Sequence, residues 1–75
     1  LRAISDAFGL TKRESEIMGL LVSGRSAPYI AEELFIAVST VKYHSSRVFA
    51  KLGVHSKQEL ISFYEGWDER TAPKR

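Results

Sequence analysis

Residues 29–52 read YIAEELFIAVSTVKYHSSRVFAKL. Ile30 and Leu34 lie one helical turn apart and share a face. Ile36 follows, and then Val41, Val48 and Leu52 recur at helical spacing. Ala31 is small where two helices would have to touch. The pattern is two helices joined by a tight turn, Phe35-Ile36-Ala37. It is the spacing of a helix-turn-helix, whose second helix lies in the DNA major groove. On a helix over 38–52 the outward polar residues are Ser39, Lys42, Tyr43, Ser46 and Arg47. No acidic residue occurs between Glu33 and Glu59, while Lys42, Arg47, Lys51 and Lys57 fall in that gap.

Working back from this stretch, Thr11 and Glu14 form a Thr-x-x-Glu capping box. The Thr11 hydroxyl can accept from the Glu14 N–H, and the Glu14 carboxylate can reach back to the Thr11 N–H. Ile17, Leu20 and Leu21 then mark a buried stripe, with Met18 and Val22 on an adjoining face, and Gly24 is suited to a left-handed cap. Ser26 is an N-cap for the next helix, and Pro28 falls in its first turn, where a missing N–H is harmless. Residues 1–9 are expected to be a short lead-in or the end of a linker, although Ile4 and Phe8 are spaced for one helical face.

Working forward, Gly53 closes the reading helix. The β-branched Val38, Thr40 and Val41 weaken its start, so tertiary packing has to support it. His44, one turn from both Val41 and Val48, is expected to be a half-buried packing residue. Ser56-Lys57-Gln58-Glu59 looks like a second capping box, opening a last helix. There Leu60, Ile61 and Tyr64 are expected to face the core, leaving Phe63 and Trp67 on a surplus apolar strip. Residues 68–75 are expected to be a disordered tail.

The totals set bounds. Seventy-five residues make one small domain with a modest core. Without cysteine there is neither a disulfide nor a Cys-based zinc site, and His44 and His55 have no carboxylate cluster nearby. No nucleophile–base pair, metal cluster or phosphate loop points to an enzyme, and no residue set requires a cofactor. A net charge of +2 permits nucleic-acid binding without demanding it. The apolar runs are too short to span a bilayer. The domain is expected to be cytoplasmic, in a parent that could itself be attached to a membrane. The first residue is Leu, so a longer parent is expected.

The chain resembles the LuxR/FixJ-type (GerE-type) DNA-binding domain of bacterial transcription regulators. The blocks that carry the resemblance run in order. They are Leu10-Thr11-x-Arg13-Glu14-x-Glu16-Ile17, Leu20-Leu21-x-x-Gly24-x-Ser26, Ile30-Ala31-x-x-Leu34-x-Ile36, Thr40-Val41-Lys42-x-His44, and Lys51-Leu52-Gly53-Val54-x-Ser56-x-x-Glu59. The resemblance implies an all-α four-helix bundle over residues 10–67, with the helix-turn-helix in its second and third helices. It implies that Lys42, Tyr43 and Ser46 face bases or phosphates of double-stranded DNA, and that Ser39 and Thr40 approach the backbone. Arg47 and Lys51 are expected to track the phosphates. The last helix is expected to make the contact of a homodimer on DNA through Ile61, Phe63, Tyr64 and Trp67. An upstream sensor domain in the parent and RNA polymerase are the further partners the resemblance brings in.

Some positions depart from the family pattern. Ala37 stands where a Ser or Thr N-cap is usual, and loss of such a cap costs about 1 kcal/mol. Ser39 is the residue placed to compensate from inside the first turn. Ala27-Pro28-Tyr29 replaces a more polar stretch, and Ser46 is short where relatives carry a basic residue. Two other readings share parts of the pattern: a sigma region-4-like domain, and a protein-interaction module of the same fold that no longer binds DNA.

Overall fold

A computed structural model describes residues 2–67 of the chain. Five helices follow one another: α1 (Arg2–Phe8), α2 (Lys12–Val22), α3 (Ala27–Leu34), α4 (Val38–Leu52) and α5 (Lys57–Gly66). The all-helical expectation and the helix-turn-helix, α3 and α4, are therefore present. The expected tail lies outside the described residues. The count differs because the lead-in is itself a helix, α1. Its Ile4 is fully buried with Ile17, Met18, Ile30, Val41, Val48 and Leu60. Burying a side chain of this kind is worth roughly 1.5–3 kcal/mol, enough to order a two-turn segment that could not hold helical form alone.

The local signals act largely as written. Thr11 accepts from the Glu14 N–H at 3.1 Å and donates its own N–H to Glu14 Oε1 at 2.9 Å, so the first capping box is complete. Ser26 caps α3 through the Tyr29 N–H. The box at α5 is only half made. Ser56 accepts from the Glu59 N–H, but the Glu59 carboxylate bypasses Ser56 and takes the His55 N–H at 2.8 Å.

α2 and α3 both pack on α4, and α2 also meets α5. The turn between α3 and α4 bends through Phe35, which adopts the left-handed conformation at φ 58°. The Ile36 N–H closes the α3 end by donating to the Ala31 carbonyl at 3.0 Å. A Cβ makes that backbone conformation unfavourable by about 1–2 kcal/mol, and the Phe35 ring recovers nothing by packing because it is 94% exposed. At the other end of α4, Gly53 takes the same role at φ 75° without that penalty.

α1 also reverses the expected orientation of α5. Phe63 and Trp67 stack 5.8 Å apart, and the Phe8 ring meets both edge-on, at 5.6 Å and 5.9 Å. The strip assigned to the surface is thus half-buried beneath the lead-in helix, and Tyr64, assigned to the core, is exposed. Leu60 is buried as expected. Because Trp67 is the only tryptophan, its emission reports this cluster directly. Ile4→Ala should lower unfolding free energy by about 2–4 kcal/mol in a denaturant titration. Phe8→Ala should shift Trp67 emission to the red in the folded state. An Ile4→Ala chain as stable as the parent would mean that α1 does not belong to the core.

Candidate nucleic-acid interface

α4 presents one continuous outward face. Val41, Val48 and Leu52 fix the opposite side in the core, and that registry leaves Ser39, Lys42, Tyr43, Ser46, Arg47 and Ala50 exposed. Thr40 is half-buried at the margin. Tyr43, Ser46, Arg47, Ala50 and Lys51 line one shallow depression, and Lys42, Ser46, Phe49 and His55 are among the residues lining a second beside it. Ala50 lets a partner approach the helix closely, a feature that charge and polarity in the sequence did not single out.

The N-terminus of α4 is bare. Ala37 makes no side-chain cap, and the compensation expected from Ser39 is absent from the helix start. The Thr40 and Val41 N–H groups return to the Ala37 carbonyl. The positive end of the α4 dipole and its earliest N–H groups therefore remain open on the same face as Ser39, an arrangement that favours a phosphate. His44 is half-buried as expected. Its ring packs edge-on against Tyr43 at 5.3 Å, and its buried Nδ1 has no hydrogen-bond partner.

The basic residues of α4 do not act alike. Lys42 is exposed and, among the described residues, makes no ion pair. Lys51 is only 25% exposed and turns inward. Its Nζ donates to Glu14 Oε1 at 2.7 Å and to the Gly9 carbonyl at 3.0 Å. The expectation that Lys51 tracks phosphates therefore meets a competing internal site. Arg47 stands between the two cases. Its Nε–H donates to Glu14 Oε2 at 3.4 Å, yet the side chain is 51% exposed, and its Cζ lies 5.9 Å from the Tyr43 ring centre.

Glu14 is the residue that sequence reasoning understated. Its capping role was visible, but its side chain is only 3% exposed and lies beneath α4. Burial pushes its carboxyl upward, but the Lys51 and Thr11 hydrogen bonds, the Lys51 charge and the Arg47 hydrogen bond outweigh this and hold it down at about 2. The acid-free gap between Glu33 and Glu59 is thus not acid-free in space. The only signal available was that Arg47 and Lys51 are four residues apart and can meet one carboxylate from the same helix side.

On α5, Ile61 and the exposed Tyr64 remain available at the surface. Phe63 and Trp67, also expected in a dimer contact, are occupied by Phe8. Among the described residues no helix is long and apolar enough to cross a membrane.

The sequence matches the family described as bacterial regulatory proteins, luxR family, over residues 9–64. It is 45% identical over 60 residues to the oxygen regulatory protein NreC of Staphylococcus aureus strain bovine RF122 / ET3-1, covering 79% of this chain and 28% of that relative. The NreC of strain JH9 is 44% identical over 54 residues, covering 72% of this chain and 25% of the relative. The chain therefore spans little more than a quarter of the length of these curated relatives.

The depressed Glu14 carboxyl links stability to acid. Its contribution is fully present above the ordinary value of 4.5 and is lost as pH falls from there towards about 2. Glu14→Gln should be less stable than the parent at pH 7, and the difference should shrink steadily between pH 5 and 2. A difference independent of pH in paired denaturation curves would show that the charge on Glu14 does not stabilise the fold.

Proposed function

Because the chain belongs to the luxR family of bacterial regulatory proteins, we propose that it is the DNA-binding output domain of a transcription regulator, with α4 entering the major groove of double-stranded DNA. The observation that carries this reading is the single exposed face formed by Ser39, Lys42, Tyr43 and Ser46, beside an uncapped helix N-terminus. Lys42 donates to guanine O6 or N7, or to a phosphate. Tyr43 offers its ring to a thymine methyl and its hydroxyl to the backbone. Ser39, Thr40 and the free N–H groups at the helix start hold a phosphate and set the register. Arg47 reaches the backbone from the outer edge of α4.

Few side chains read bases, so specificity is expected to need two copies on a two-part site. Ile61 and Tyr64 are the α5 residues that a second copy can reach without displacing α1. A protein-interaction module would be favoured by an exposed aromatic pair on α5, but Phe63 and Trp67 pack against Phe8. The relatives are several times longer, which leaves room in the parent for an upstream sensor domain. RNA polymerase is a further proposed partner.

Titration of a labelled duplex by anisotropy tests the reading. Log affinity should fall with log salt by roughly 0.9 for each phosphate contact, and a salt-independent curve would count against it. Lys42→Ala should weaken binding to a selected site by roughly tenfold while the melting temperature stays within a degree or so, since an exposed lysine has no packing to lose. Unchanged affinity would remove Lys42 from the interface. Tyr64→Ala should reduce cooperativity on a two-part site and leave half-site binding intact; equal losses on both would place Tyr64 elsewhere.

A further inference from the structure

The cluster formed by Glu14, Arg47 and Lys51 does more than join α2 to α4. The carboxylate engages the two cations in different ways. Lys51 is held at 2.7 Å, its ammonium is also tied to the Gly9 carbonyl, and the side chain is largely withdrawn from solvent. Among the described residues, Arg47 is held only by its Nε–H, on the inner edge of the guanidinium. A guanidinium is planar and carries its donors in a rigid fork. Fixing Nε against Glu14 leaves the two terminal amino groups for another acceptor. Arg47 lies beside Tyr43, and the depression they line with Ser46 and Ala50 is on the groove-facing side of α4.

We propose that Glu14 is a positioning residue for DNA recognition: it presents the outer fork of Arg47 to a backbone phosphate in one orientation and keeps Lys51 off the DNA. This rests on the DNA-binding reading above. The first effect favours discrimination, and the second limits bulk attraction. A fixed Arg47 contributes fully only when the helix is seated in the register that places a phosphate before its fork. A free Lys51 would add attraction to any duplex regardless of sequence. With the carboxylate in place, the cluster carries two positive charges against one negative charge, and the charge that remains outward is the one with directional donors.

Loss of the carboxylate therefore strengthens attraction to any duplex while lowering the preference for the cognate site. In Glu14→Gln the affinity for random duplex should rise and its salt slope steepen by roughly 0.9, the signature of one added phosphate contact from Lys51. The cognate-to-random affinity ratio should fall by roughly tenfold, the size of one lost charge-assisted hydrogen bond. A role confined to stability would instead lower both affinities by the same factor.

The experiment uses the 75-residue chain. A cognate duplex is selected from a random library with the parent chain. Anisotropy titrations over a salt series then compare the parent, Glu14→Gln, Arg47→Ala and the double variant. The proposal expects the Glu14→Gln loss of discrimination to vanish in the Arg47→Ala background. An equal loss in both backgrounds, or a common loss of cognate and random affinity, would overturn it. Arg47→Lys provides a version that leaves the Glu14–Lys51 pair intact. It keeps the charge but has no Nε–H and no fork, so the ratio should still fall while the Glu14–Lys51 pair holds the fold, and an unchanged ratio overturns the proposal. Failure of the parent chain to bind any duplex overturns the DNA-binding reading itself, and is distinct from every result above.

Discussion

The Glu14 carboxylate is the constraint around which the fold is arranged. One oxygen accepts the Thr11 N–H and the Lys51 ammonium, and the other accepts from Arg47. A nearly buried charge is tolerated only when partners replace the water it loses, and removal of one partner of such a pair costs several kcal/mol. Here the partners come from the start of α2 and the last turns of α4, elements far apart in the chain. Lys51 also binds the Gly9 carbonyl, so the end of α1 is drawn into the same site. The hydrophobic core specifies that these helices pack together. The carboxylate specifies where along their lengths they do so, because a shift of either helix by one residue would leave a buried charge without its partners.

This arrangement explains why a face that looks uniformly basic in one dimension is not so in three. Lys42 is open, Arg47 is half-committed and Lys51 is turned inward. Between them they form a gradient of availability along α4, from an exposed cation near its start to an occupied one near its end. The bare N-terminus at Ala37 lies at the open end of that gradient. The electropositive character of the helix is thus concentrated at its first turns.

Much of this was legible in the sequence because it is local. The Thr11 and Glu14 box, the caps at Ser26 and Ser56, the stripe of Ile30, Val41, Val48 and Leu52, and the left-handed Gly53 each depend on residues within a few turns. The features that were not legible depend on distant partners. Ile4 and Phe8 are too few to announce a helix, and α1 is ordered by the core and by Phe63 and Trp67. The orientation of α5 followed from that unseen cover, which is why Tyr64 and the aromatic pair exchanged places. Glu59 had two backbone donors within reach, and a capping pattern does not say which it takes. Which α4 residues are exposed was readable from helical spacing, whereas the state of Lys51 was not, because its partner lies 37 positions earlier in the chain.

The cover over α5 has a consequence for how this unit is handled as a part. The family match begins at residue 9, yet Ile4 is in the core and Phe8 sits on Phe63 and Trp67. A chimera that joined this domain to another regulator at the family boundary would strip two aromatic rings of their neighbour and open a sticky apolar face on α5. Such a hybrid would be prone to self-association through that face. The transferable unit includes the first helix, and any graft point belongs upstream of it.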